Sequence, residues 1–167
     1  MKLSENFSVS EFLKSNVAER KGIDNTPTKE HIEQLQLLVT HILQPLRDCI
    51  GPIRVNSGYR SKALNKAIGG AHKVRDGVYI PTSQHCKGQA ADLGLGSGEN
   101  RIIWDEIQNL DLPFDQLIWE FGDAHPTGNP RWIHVSYNPK GGRKQLLEAY
   151  GSNGRTKYRT PKEIKSL

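Results

Sequence analysis

Apolar residues recur at three- and four-residue steps through Ile32, Leu35, Leu38, Val39, Ile42, Leu43 and Leu46. That spacing is one buried face of a helix. Thr26-Pro27 opens the helix, because proline's missing N–H has no partner to lose in a first turn. Pro45 is expected to bend or end it, and Gly51-Pro52 to stop it. A shorter helix comes first. Ser8-Val9-Ser10-Glu11 has the form of a capping box, the helical pattern runs to about Arg20, and Gly22 is a natural stop.

Past Pro52 the period shortens toward two. Ile53-Arg54-Val55-Asn56-Ser57 alternates as a short strand. Residues 61–68 read as a short helix closed by Gly69-Gly70, and residues 71–82 as irregular chain. A strand is expected over 90–95, leading into a glycine-rich turn, then a helix over 99–110 with Ile102, Ile103, Ile107 and Leu110 apolar. Residues 116–121 and 132–137 read as paired strands around a turn-rich loop. Strand-like pieces over 146–150 and 156–160 follow. Helices early and strands late, with short loops, predict an α+β fold: a small antiparallel sheet packed against N-terminal helices, one domain over 1–167.

Composition narrows this picture without redirecting it. With 167 residues, 35% hydrophobic and 25% charged, the chain suits one globular core. No apolar run approaches the roughly 18 residues that would span a bilayer. The N-terminus lacks the apolar core and cleavage site of a secretory signal. The chain is therefore expected to be made in the cytoplasm and to cross any membrane by some other route. Cys49 and Cys86 do not make a disulfide framework, and Cys86, adjacent to His85, is poorly placed to share a metal with it. The net charge of +5 is scattered apart from a denser stretch over 140–165. No helix-turn-helix or aromatic RNA-binding motif accompanies it. The charge suits an acidic cell-wall polymer, and nucleic acid is not an expected partner. The oligomeric state is left open.

The chemistry gathers in two segments, Ser83-Gln84-His85-Cys86-Lys87-Gly88-Gln89-Ala90-Ala91-Asp92 and Arg131-Trp132-Ile133-His134-Val135-Ser136-Tyr137. Two imidazoles and one carboxylate, with a fourth position for water, make a catalytic zinc shell. Taken singly, each histidine reads more readily as a hydrogen-bonded structural residue than as a metal ligand. His85 and Asp92 are seven apart, an odd offset that puts them on opposite faces of a strand. They converge only if the chain turns between them, and Gly88 supplies the place. Asp92 follows two alanines in an apolar segment and needs a cation to balance it. His134 faces the same way as Trp132 and Ser136. Gln84 and Lys87 are expected to face solvent.

Ser57-Gly58-Tyr59-Arg60-Ser61, then the His85-to-Asp92 segment, then Trp132-Ile133-His134 resembles the zinc D-Ala-D-Ala carboxypeptidase family. That family shares its fold with the Hedgehog signalling domain and lysostaphin-type enzymes. The similarity runs from the Phe7–Phe12 region to about Tyr137. It implies Zn2+ held by His85, Asp92 and His134, and cleavage of peptidoglycan stem peptides by a DD-carboxypeptidase or endopeptidase. It also supports Arg60 as a clamp for a carboxylate or oxyanion and Ser83 as a substrate contact. Tyr59 and Trp132 are either packing residues or substrate walls.

Several relatives carry a proton-transferring acid a few residues before the last histidine; here the position three before it is Arg131. Glu120 is the replacement we expect, placed almost opposite His134 if residues 116–121 pair with 132–137. Asp123 and His125 are the alternatives. Without a signal peptide, a phage or prophage lysin acting at the cell wall after release fits. The missing acid also allows a zinc-bearing, non-catalytic binding module of the same fold.

Overall fold

The computed structural model describes residues 1–162. The end of the basic stretch, 163–165, lies outside them. The capping box holds: Ser8 N–H donates to Glu11 Oε1 at 2.8 Å. Its helix is not continuous to Arg20, however. It divides into α1 (Val9–Leu13) and α2 (Asn16–Lys21) because Ser15 starts a new helix, its hydroxyl accepting from Ala18 N–H. Thr28 then caps α3 (Lys29–Leu38), so Pro27 lies just ahead of the helix.

Pro45 neither ends nor breaks this helix. The chain passes through one π-helical turn, Val39–Leu43, into α4 (Gln44–Ile50). There Gln44 N–H reaches back five residues to the Val39 carbonyl. The widened turn shifts the bonding pattern just where proline removes a donor. The apolar stripe therefore stays continuous, and Leu35, Leu38, Val39, Ile42, Leu43 and Leu46 are all fully buried.

The strands are β1 (Arg54–Ser57), β2 (His72–Arg75), β3 (Val78–Pro81), β4 (Ala90–Gly94), β5 (Gln116–Glu120), β6 (Trp132–Ser136), β7 (Gln145–Ser152) and β8 (Arg155–Arg159). Two helices lie among them, α5 (Lys62–Ala67) and α6 (Arg101–Asn109). Six strands form one sheet in the order β1-β4-β6-β5-β7-β8. Neighbours are antiparallel except β5 and β7. After β6 runs back along one side of β5, the chain returns on the other side, and so β7 runs parallel to β5. Residues 71–82 are not irregular. They form the β2–β3 hairpin around an Asp76-Gly77 turn with positive φ at both residues, a two-residue turn matched to strand twist.

Strand alternation sorts the main sheet into two chemically different faces. Ala91, Leu93, Ile133, Val135, Leu117 and Trp119 join the helices in the core. The residues between them, Asp92, His134, Gln116 and Glu120 among them, take the opposite face. No helix in the described residues is long and apolar enough to cross a membrane.

Candidate metal centre

Asp92 on β4 is the direct cross-strand partner of His134 on β6. His85 reaches them from a 3₁₀ turn, Gln84–Lys87, and the chain does swing at Gly88, where φ is +71°. A Cβ at Gly88 would stand 2.4 Å from the His31 carbonyl oxygen. Both the left-handed backbone and the close approach of α3 demand glycine. Gly88→Ala is expected to cost about 2–4 kcal/mol and to weaken metal binding. Thermal unfolding with and without added metal checks both.

The donor atoms of His85, Asp92 and His134 all lie within 4.8 Å of one another, and all three residues are buried. His85 Nε2 is 3.3 Å and His134 Nδ1 3.0 Å from the same oxygen, Asp92 Oδ1. A tetrahedral ion with bonds of about 2.0–2.1 Å separates its ligand atoms by about 3.3 Å. The donor set therefore fits a small divalent cation. The outer contacts fit one too. His85 Nδ1 donates to the Gly58 carbonyl at 2.7 Å, which fixes the tautomer and turns the Nε2 lone pair inward. Gly58 is held close to α1, since a Cβ there would meet the Phe12 backbone at 2.7 Å. Cys86 is not part of this cluster.

The second Asp92 oxygen, Oδ2, accepts from Arg60 Nη2 at 3.2 Å. A bulge in β1 makes this possible. Val55 pairs with Leu93 but Ser57 pairs with Asp92, leaving Asn56 as the extra residue. Ser57 Oγ thereby accepts from Arg60 Nε and Nη2 at 3.3 and 3.2 Å. Such bulges re-aim side chains beside functional sites. Burial alone would raise the Asp92 carboxyl. The His85 and His134 imidazoles beside it, which attract and hydrogen-bond the carboxylate when protonated, outweigh burial and hold the group well below the usual carboxylate range. Burial also holds the His85 imidazole below its ordinary value, the Asp92 charge only partly opposing. A neutral ring keeps its lone pair for a metal.

These residues line a cleft of about 740 Å³ that also takes in Ser83, Glu120 and Trp132. Ser83 makes no capping bond with its side chain. Tyr59 is a packing residue, buried and tilted against the His31 ring with centroids 4.8 Å apart. Glu120 pairs with Trp132, while Ile118 stands opposite His134. The register is thus two residues away from the one expected, a shift that keeps Glu120 on the same face. Glu120 is 8% exposed. Burial pushes its carboxyl up to about 7; His134 opposes the rise, the Asp92 charge adds to it and Arg60 opposes it. His125 is packed against Trp104 and Trp119, core residues on the other side of the sheet. Asp123 is exposed, and neither residue lines the cleft.

Gln84 departs from expectation. It does not simply face solvent: its Nε2 donates to Asp115 Oδ2 at 2.9 Å. Asp115 and Arg143, which also line or support this cleft, carry no local sequence signal; their contacts span about thirty residues of chain.

A family model described as Peptidase M15 matches residues 5–117, about two thirds of the chain. The matched span holds Arg60, Ser83, His85 and Asp92, whereas Glu120 and His134 lie beyond it and join the cleft from β5 and β6. No curated protein matches the chain.

Proposed function

Since the chain belongs to the peptidase M15 family, whose members are metal-dependent peptidases, we propose that it hydrolyses peptidoglycan stem peptides with a zinc ion held by His85, Asp92 and His134. The observation that carries this reading is a convergent His-Asp-His cluster sharing a cleft with the buried carboxyl group of Glu120. The nitrogen and oxygen donors and their spacing favour zinc over the larger, oxygen-seeking cations. When bound, such an ion supplies Lewis acidity, polarising the scissile carbonyl and acidifying water beside it.

The protein's own groups do the rest. Glu120 takes a proton from the attacking water and returns it to the leaving amine. A carboxyl titrating near the working pH suits both directions of transfer. Arg60 holds the outer oxygen of Asp92, so that the inner one stays aimed at the ion, and its remaining N–H groups favour negative charge building on the substrate carbonyl oxygen. Ser83, at the cleft wall and with no side-chain hydrogen bond among the described residues, hydrogen-bonds the substrate backbone.

Metal analysis combined with mass spectrometry of digested peptidoglycan tests the proposal. One zinc per chain with new amino termini is the expected result for an endopeptidase, and loss of terminal D-Ala for a carboxypeptidase. Bound zinc without any product would overturn the enzymatic reading and leave a binding module.

A further inference from the structure

At the end of the cleft away from Glu120, one wall is built around an ion pair between a buried carboxylate and an exposed guanidinium. Asp115, 1% exposed, immediately precedes β5. Its Oδ1 accepts from Arg143 Nε at 3.0 Å and from the Arg143 backbone N–H at 3.0 Å. Its Oδ2 accepts from Arg143 Nη2 at 2.8 Å and from Gln84 Nε2 at 2.9 Å. The backbone of Asp115 is pinned as well, to Ser136 on β6 and Gln145 on β7. The Arg143 guanidinium is therefore fixed on two of its nitrogens before any ligand arrives, while its side chain stays 57% exposed and lines the cleft. Nη1 makes no hydrogen bond among the described residues, so one edge of the fork is open.

Gln84 adds a second unmet demand. Asp115 only accepts, which fixes Nε2 as the bonded end of the amide and leaves Oε1 as an acceptor. That oxygen is buried with no partner among the described residues, an unmet demand that a ligand N–H would fill. Gln84 lines the same cleft as Arg143. The wall thus presents a preorganised cationic edge and an empty acceptor, the complement of an amino-acid unit bearing an amide N–H and an uncommitted carboxylate.

Strand geometry sets the scale. Asp115, which anchors Arg143, lies three residues from Ile118, which stands in the row of Asp92 and His134. Three residues of strand span about 10 Å, about the reach of three residues of extended peptide. We propose that Arg143, held by Asp115, selects substrates carrying a free carboxylate about three residues from the bond that is cut, with Gln84 Oε1 receiving an N–H of the same unit. This rests on the peptidase reading above and names the feature of the substrate that its cleft requires.

Lysine-type stem peptides carry such a group in two places, the α-carboxylate of D-isoglutamate and the C-terminus. The test uses four synthetic pentapeptides, each of these carboxylates either free or amidated, titrated calorimetrically into zinc-loaded Glu120→Gln protein. One acid form is expected to bind about ten- to a hundredfold more tightly than its amide, which identifies the carboxylate read. Adding Arg143→Gln is expected to bring that ratio close to one. Arg143→Lys, which keeps the charge but loses the fork, is expected to fall between and serves if the glutamine variant does not fold. A purely structural Arg143 would lower acid and amide binding alike; an unchanged ratio, or no ratio in the parent protein, overturns the assignment. Hydrolysis by the wild-type chain is scored separately. Arg143-dependent acid selectivity without cleavage upholds Arg143 and sinks stem-peptide hydrolysis. Cleavage without selectivity does the reverse.

Discussion

Glu120→Gln is expected to lower kcat for peptide hydrolysis by about 10³-fold, while the variant still binds one metal ion and, freed of metal, is more stable than wild type above pH 7. The first effect follows from losing a positioned proton carrier, typically worth about 10²–10⁴ in rate. Glutamine keeps the shape and cannot accept the proton. The second follows from linkage. The carboxyl titrates at about 7 in the folded chain against an ordinary 4.5. The folded state therefore binds the proton more tightly than the unfolded one. Its contribution to stability is fully present below about pH 4.5 and is lost as pH rises through 7. That loss is about 3 kcal/mol, and the glutamine side chain never incurs it. Urea unfolding of both chelated proteins at pH 4.5 and pH 8 measures the difference, which should open only at the higher pH. A gap equal at both values would show that burial of the charge is not its cause. Undiminished hydrolysis by the variant would remove Glu120 from proton transfer.

Removal of the metal is the second large effect. Chelation, or His85→Ala, should abolish measurable hydrolysis, with zinc restoring the chelated wild type and failing to restore the variant. Zinc at about a hundred times its dissociation constant stabilises the folded state by about 2.7 kcal/mol. In a chain of this length that is about 5–10 °C in Tm. The same shift should shrink in acid. Metal must compete with protons for the imidazoles, and because burial holds His85 below its ordinary value, competition at that ring begins only below about pH 6.5. Differential scanning calorimetry at pH 5 and pH 7.5, with and without zinc, reads both quantities. A Tm indifferent to zinc at pH 7.5 would show that His85, Asp92 and His134 do not hold the ion.

The features legible in the sequence are those in which burial imposes a period. The stripe from Leu35 to Leu46 and the Ile133–Val135 alternation of β6 each report a single apolar face, and the Ser57–Arg60 and His85–Asp92 segments carry their own spacing. The β2–β3 hairpin was illegible because β2 is exposed along its whole length. With no face to bury, its residues follow no pattern, and only Asp76-Gly77 hinted at the turn. The π turn before Pro45 is a backbone response that leaves the side-chain stripe intact, so the stripe cannot reveal it. The two-residue difference in β5–β6 register leaves every apolar residue on its proper side, and hydrophobicity does not distinguish the two pairings. Arg143, Asp115 and Gln84 meet through long-range contacts that no local pattern encodes.

The division of the sheet into an apolar and a reactive face has a consequence for how the molecule can be assayed. A slip of β6 against β4 by a single residue would turn His134 into the core and bring Ile133 or Val135 beside Asp92. A chain misassembled in that way would retain its strands and much of its helix, and circular dichroism would scarcely notice it. It would have no place for a third ligand. Metal stoichiometry is therefore a count of correctly threaded molecules in a refolded preparation.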